Sequence, residues 1–288
     1  AIGVVTIAGE IIDGGAGPGV AGANRITDLL DEGLGEDYAA LVIRVDSPGG
    51  SIMASEQIRR AILRYREKGI PVVASMANVA ASGGYYVAMP ADRIFAEPAT
   101  ITGSIGIFAI LPSFEKALGR WGVTGGGVKT TPLSGQPDVL TGLAPEVPLM
   151  IQASVESNYG RFLRLVEQSR GLEPAGAPAW AEGRPWSGTD ARRLGLVDEF
   201  GGLDAALAHA AKAAGLEEGK WHPEFMGGGR GRFAFLFDRL ESGSAGTGGE
   251  GQSDMAGLLA SRQQMALVRA AERARWLLTV RGAQGYCL

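Results

Sequence analysis

Cysteine is almost missing from this sequence: Cys287 alone stands among 288 residues. That excludes an intrachain disulfide framework and any cysteine-ligated zinc site. Histidine is nearly as scarce. His209 and His222 are far apart, with no carboxylate or cysteine at ligand spacing, so no metal site is expected. Neither histidine has a local partner suited to general-base work, and both fall outside the compact α/β core traced below, so a Ser-His-Asp triad finds no support. No apolar run approaches the roughly 20 residues of a membrane-spanning helix. No signal peptide is visible. The chain opens at Ala1 directly into a strand-like segment, and the expectation is a chain processed or cut from something longer. The net charge is -4, so no nucleic-acid partner is expected. No GxGxxG or phosphate-binding loop follows a strand, and the run Gly125–Gly127 lacks the helix such a site requires. No cofactor is expected.

Glycine is abundant instead, at 45 residues, roughly twice its ordinary share. It falls at turns and in a late linker and has no collagen-like period. Hydrophobic residues make up 45% and charged residues 20%, enough apolar material for a substantial core. Ile2–Ile7, Ala40–Asp46, Ile70–Met76, Arg93–Glu97 and Gly106–Leu111 read as short strands, the first ones apolar enough to be buried on both faces. Ser51–Lys68 carries Ile52, Ile58, Ile62, Leu63 and Tyr65 at helical spacing and ends at Gly69. Ser113–Gly119 predicts a short helix capped by Ser113. Pro145–Arg170, Gly188–Gly195 and Leu203–Ala214 predict three more helices. Strands alternating with helices argue for an α/β core with largely parallel pairing. The expected domain covers residues 1–215. Residues 216–288 form an extension with Gly-rich stretches at Gly227–Gly231 and Gly243–Gly251, the aromatic cluster Phe233, Phe235 and Phe237, and a last helix from about Met255 to Arg281. Packing is the favoured role for that cluster, because few basic residues flank it for lipid attraction.

Two turns carry the chemistry. In DSPGGS, Asp46–Ser51, a buried strand breaks into a Pro-Gly-Gly turn and a helix begins. The glycines can expose backbone N–H groups beside the helix N-terminus, which suits an anion or oxyanion. In ASGGYY, Ala81–Tyr86, small residues around Ser82 let another backbone approach closely. A serine opening a helix is most often an N-cap. The pairing shifts the balance, since both turns lie at the carboxyl ends of adjacent strands, where open α/β sheets gather their sites.

The segments IRVDSPGGS, SMANVAASGGYYVAMPADRIFAEPATITGSIGIF and WSGTDARRLGLVDEFGGLDAAL resemble the signal peptide peptidase A (protease IV) family. KWHPEF near Lys220 and GYCL at Gly285–Leu288 resemble its long, two-half form. The resemblance implies a Clp protease/crotonase-like spiral of ββα units, a Ser-Lys serine endopeptidase, and a chain that corresponds to the second half. It places the nucleophile on Ser82, the oxyanion donors on the N–H groups of Gly49 and Gly83, and a lysine-orienting hydroxyl on Ser104. It further implies remnant signal peptides and other hydrophobic unfolded peptides as substrates, a homo-oligomer (a tetramer for the long form), and a place at the bacterial inner membrane facing the periplasm.

A lysine acts as a base only when neutral, which requires burial to lower its pKa. Lys68 and Lys116 fall on helices, and Lys212 and Lys220 at or beyond the end of the α/β domain. Lys129 alone sits in a loop downstream of the site. One-half members of the family carry their lysine near the place of Ser134, and two-half members take it from the first half. The expected base therefore lies outside this sequence, with Lys129 as the alternative. Two other functions compete: a crotonase-like acyl-CoA enzyme, and a non-catalytic structural half of an oligomeric peptidase.

Overall fold

The computed structural model describes residues 1–17, 19–131, 133–227 and 285–287. The aromatic cluster Phe233, Phe235 and Phe237, the stretch Gly243–Gly251 and the expected helix at 255–281 lie outside the described residues.

In chain order the first elements are β1 (Ile2–Ala8), β2 (Ile11–Ile12), β3 (Ala21–Gly22), α1 (Ala23–Gly33), β4 (Ala40–Ser47) and α2 (Ile52–Glu67). Then come β5 (Val72–Ala81), α3 (Gly83–Ala88), β6 (Arg93–Ala96), β7 (Ile101–Gly103) and β8 (Ile107–Ala109). The next are α4 (Glu115–Arg120), α5 (Glu146–Arg170), α6 (Ala177–Trp180), β9 (Pro185–Ser187) and α7 (Gly188–Arg193). The last are β10 (Glu199–Phe200), α8 (Leu203–Ala213), β11 (Pro223–Phe225) and β12 (Gly285–Cys287). The fold is α/β. Its main path runs β10-β6-β5-β4-β1-β11, and each neighbouring pair on it is parallel.

The near-continuous apolar runs of β1 and β4 follow from helices covering both faces of the sheet. Val5, Ile7, Leu41 and Ile43 face a core shared with α1, α2, α3 and α5, through Ile26, Leu30, Ile58, Ile62, Tyr86 and Phe162. Ile2, Val4, Ala40, Val42 and Val73 face the other way, against Ala206, Leu207, Ala210 and Ala211 of α8. Sheet order and two-sided burial together put the carboxyl ends of β4 and β5 side by side at mid-sheet.

β5 is longer than the strand expected at Ile70–Met76. Its first part pairs with β4 and β6, and its last three residues pair with β7 in place of β6. β7 in turn pairs antiparallel with β9. β12 lies antiparallel to β8, with Cys287 opposite Ile107.

The chain forms two compact units. One holds the described residues of 1–111, 148–229 and 284–288, and the other those of 112–147. In the second, Phe114 N–H donates to Val139 O at 2.7 Å. Asp138 accepts the N–H groups of Leu140 and Thr141 there, each at 3.0 Å. The short helix of this unit begins at Glu115 rather than Ser113, is flanked by Phe114, and has no side-chain cap.

Candidate active site

β4 ends in Asp46–Ser47, and Pro48-Gly49-Gly50 turns the chain into α2, where Ser51 caps the helix by accepting Ala54 N–H at 3.3 Å. The turn is fixed from outside by a residue far back in the chain. Ile11 N–H donates to Gly49 O and Ile11 O accepts Ser51 N–H, both at 2.8 Å. Gly50, bridged to Ile11, has no room for a side chain: a Cβ there would lie 2.0 Å from Ile11 O. Gly49 has φ +101°, a conformation L side chains rarely adopt. A Cβ on it would lie 2.6 Å from the Gly83 nitrogen and 2.9 Å from Ser82 Cβ. The Pro-Gly-Gly turn and the serine turn are thus in backbone contact, as the sequence pattern anticipated.

Ser82 joins β5 to α3 with φ 56° and ψ -117°. For a residue with a Cβ that is a strained backbone, costing about 1–3 kcal/mol. Its N–H is held by Gly103 O at 2.8 Å, and its carbonyl takes Tyr86 N–H at 2.9 Å. Its side chain does not cap α3. The Oγ is buried with no hydrogen-bond partner among the described residues, a state that costs about 1–3 kcal/mol for an unmet buried hydroxyl. A strained backbone and an unpartnered hydroxyl mark this serine as held for something other than capping.

The donors an oxyanion would need are next to it. Gly83 opens α3, so its N–H has no acceptor within the helix. The Gly49 N–H donates to Ser47 Oγ at 3.1 Å. The Gly50 nitrogen lies 3.1 Å from the position of a Cβ on Gly83. Ser104 follows Gly103, the ladder partner of Ala81, just as Ser82 follows Ala81. It too has positive φ, 50°. Its N–H donates to Arg184 O at 2.7 Å and its Oγ to Gly183 O at 3.4 Å.

None of the lysines in its own unit hydrogen-bonds Ser82 Oγ. Lys68 donates to Leu34 O at 2.9 Å and Lys220 pairs with Glu217 at 2.5 Å. Lys212 lies in the last turn of α8. Lys116 and Lys129 belong to the 112–147 unit, where both are exposed. His209 packs its ring on Phe95, with centroids 5.4 Å apart.

A charged cluster absent from the sequence reading supports α3 from behind. Glu56 of α2 is buried and takes Arg59 and Arg60 at 2.7 Å, Arg161 of α5 at 2.6 Å, and the Tyr86 hydroxyl at 3.0 Å. Burial alone would raise its pKa, but the bonds from Arg59, Arg60 and Tyr86 outweigh burial and bring it down to about 2. Tyr85 hydroxyl donates to Leu196 O at 2.9 Å, and burial raises its pKa. The signal for Glu56 was present in the helical pattern, as a carboxylate on the face that also carries Ile52.

Comparison with known proteins gives the chain its relatives. The pattern of peptidase family S49 matches residues 64–217. Protease 4 of Salmonella typhi is 43% identical over 225 residues, 78% of this chain and 36% of that protein. The serine protease SPPA, chloroplastic, of Arabidopsis thaliana is 39% identical over 184 residues, covering 62% of this chain and 26% of that protein. The chain thus spans about a third of the length of the Salmonella protein. Among solved structures, a point mutant of ClpP1 from Listeria monocytogenes aligns over 71% of this chain and 94% of its own, with TM-score 0.46 and 17% identity.

Proposed function

We propose that this chain, which belongs to peptidase family S49, carries the nucleophile of a Ser-Lys endopeptidase that cleaves remnant signal peptides and other hydrophobic, unfolded peptides. The observation that carries the reading is Ser82: strained, at the mouth of α3, its Oγ buried without a partner beside the N–H of Gly83. Ser82 Oγ attacks the scissile carbonyl carbon while its proton passes to the Nζ of a neutral lysine. Negative charge develops on the carbonyl oxygen and is met by Gly83 N–H and by the Gly49–Gly50 turn. Gly49 N–H is shared with Ser47 Oγ, so it must swing toward the oxyanion or leave that place to Gly50 N–H. The tetrahedral adduct then expels the peptide amine, which takes the proton back from the lysine. Water attacks the acyl-serine by the same route in reverse. Ser104 orients the lysine.

The lysine comes from outside this chain, from the first half of a two-half polypeptide. The third of the Salmonella protein's length that the chain spans supports this, as does the lack of a lysine partner for Ser82 Oγ within its own unit. The complete enzyme is a homo-oligomer, a tetramer, held at the bacterial inner membrane through its missing part and facing the periplasm. Among the described residues no helix is long and apolar enough to cross a membrane.

The test is hydrolysis of an apolar, signal-peptide-like fluorogenic peptide, with Ser82→Ala as control. The expected result is no turnover by the chain alone and turnover when a lysine-bearing first half is supplied. Turnover by the chain alone that disappears in Lys129→Met would place the base inside and overturn the two-half account. Turnover that survives Ser82→Ala would overturn the nucleophile.

A further inference from the structure

The strand that leads to Ser82 contains an irregularity at which distant side chains bond the backbone. From Leu41↔Val72 to Val45↔Met76 the β4–β5 ladder keeps one register, and it resumes at Ser47↔Ala80. One residue of β4, Asp46, therefore faces three of β5: Ala77, Asn78 and Val79. A bulge of this kind disrupts the ladder and re-aims the strand. Here it turns the last residues of β5 away from β6 and onto β7.

Several backbone groups in and beside the bulge have side-chain partners. Val79 N–H donates to Asp46 Oδ1 at 3.1 Å. Thr100 Oγ1 donates to Ala77 O at 2.7 Å, and Thr102 Oγ1 to Ala80 O at 2.7 Å. Arg44 reaches Met76 O at 3.3 Å while donating to Ser75 Oγ at 2.8 Å. Thr100 and Thr102 are buried, and Asp46 is itself anchored by Gly9 N–H on its carbonyl at 3.0 Å. Three residues beyond Val79, the chain reaches the strained φ of Ser82.

We infer that Asp46 and Thr100 are positioning residues for the nucleophile: they hold the β5 bulge, and the bulge sets the direction from which β5 presents Ser82 to the Gly49–Gly50 turn. This rests on Ser82 being the nucleophile. The bulge carries the twist that the serine's backbone completes. Without an acceptor for Val79 N–H, or a donor for Ala77 O, the strand relaxes toward the regular register. Serine and oxyanion donors then lose their mutual placement although neither has been altered. Asp46 acts through its acceptor oxygen, so an amide in its place serves as well.

The experiment is covalent modification by a fluorophosphonate, in the chain supplied with a lysine-bearing first half. Adduct position is read by mass spectrometry, and kcat and KM on the fluorogenic peptide are measured on the same preparations. Asp46→Ala and Thr100→Val are expected to lower both the phosphonylation rate and kcat by about tenfold or more, with KM little changed, since small displacements of reacting groups cost that much. Asp46→Asn, which keeps the acceptor, is expected to stay within about threefold of the parent in rate and to keep its pH profile. Thermal unfolding confirms that each variant is folded at the assay temperature. A folded Asp46→Ala that reacts at the parent rate overturns the inference. So does an Asn variant as slow as the Ala variant, which would assign the effect to charge. A parent adduct on any residue other than Ser82, or none at all, overturns the underlying assignment of the nucleophile.

Discussion

Ser82 and Gly49 are fitted to each other at the scale of single atoms. A methyl group on Gly49 falls 2.6 Å from the nitrogen of Gly83, which is backbone and has nowhere to go. Gly49→Ala is therefore expected to lower peptidase activity of the completed enzyme by about a hundredfold or more, and its Tm is expected to fall because φ +101° is strained for alanine. Side-by-side turnover and thermal melts check both. Glu56 offers a test by pH. Its carboxyl titrates near 2 in the folded chain against an ordinary 4.5, so the lowered pKa stabilises the fold fully above pH 4.5. That contribution is lost as pH falls from about 4.5 through about 2. Glu56→Gln is expected to be less stable than the parent at pH 7 and to lose less stability across that acid window, as urea titrations at a series of pH values would record.

Helix α3 is only six residues long, too short to hold itself by its own hydrogen bonds. It is kept in place by what it packs on. Tyr86 meets Phe162 of α5 edge-on, with centroids 4.8 Å apart, and Phe162 is fully buried. Phe162→Ala is expected to cost about 3–5 kcal/mol of unfolding free energy, measured by denaturant titration, and to slow the reaction of Ser82 by loosening α3. At this scale the sequence was only partly legible. β1, β4, α2 and α8 announced themselves, because an apolar run or stripe of seven residues or more has a period to read. The strands of two or three residues, such as β2, β7 and β9, have none, and β2 and β7 are what close the site around Ile11 and Gly103. Helix α1 was overlooked although Ile26 and Leu30 stand four apart on its buried face. The strand expected at Ile70–Met76 runs on to Ala81 as β5. The strand continues because Asp46 and Thr100, distant in sequence, supply what the ladder does not. Gly49, Ser82 and Gly83, singled out on their two motifs, lie against one another, and Ser104 follows Gly103, which holds the Ser82 N–H. Asp46 and Thr100 act through partners distant in sequence, Val79 and Ala77, that no local pattern reveals.

For the molecule as a whole, the reading makes the chain one contributor to a shared centre. If the base comes from a first half, replacing that half's lysine by methionine is expected to abolish turnover while leaving association of the two halves unchanged, a pair of results that turnover assays and light scattering would separate. The order in which the chain is made carries its own consequence. The surroundings of Ser82 draw on Ile11 for the oxyanion turn, on Gly103 for the serine's own N–H, and on Gly183 and Arg184 for Ser104. A ribosome releases these segments from first to last. The serine emerges roughly a hundred residues before the strand that closes its neighbour, so on the proposed reading a nascent chain carries its nucleophile long before it carries the finished pocket. On that reading, synthesis order itself delays any cutting until the domain is nearly complete.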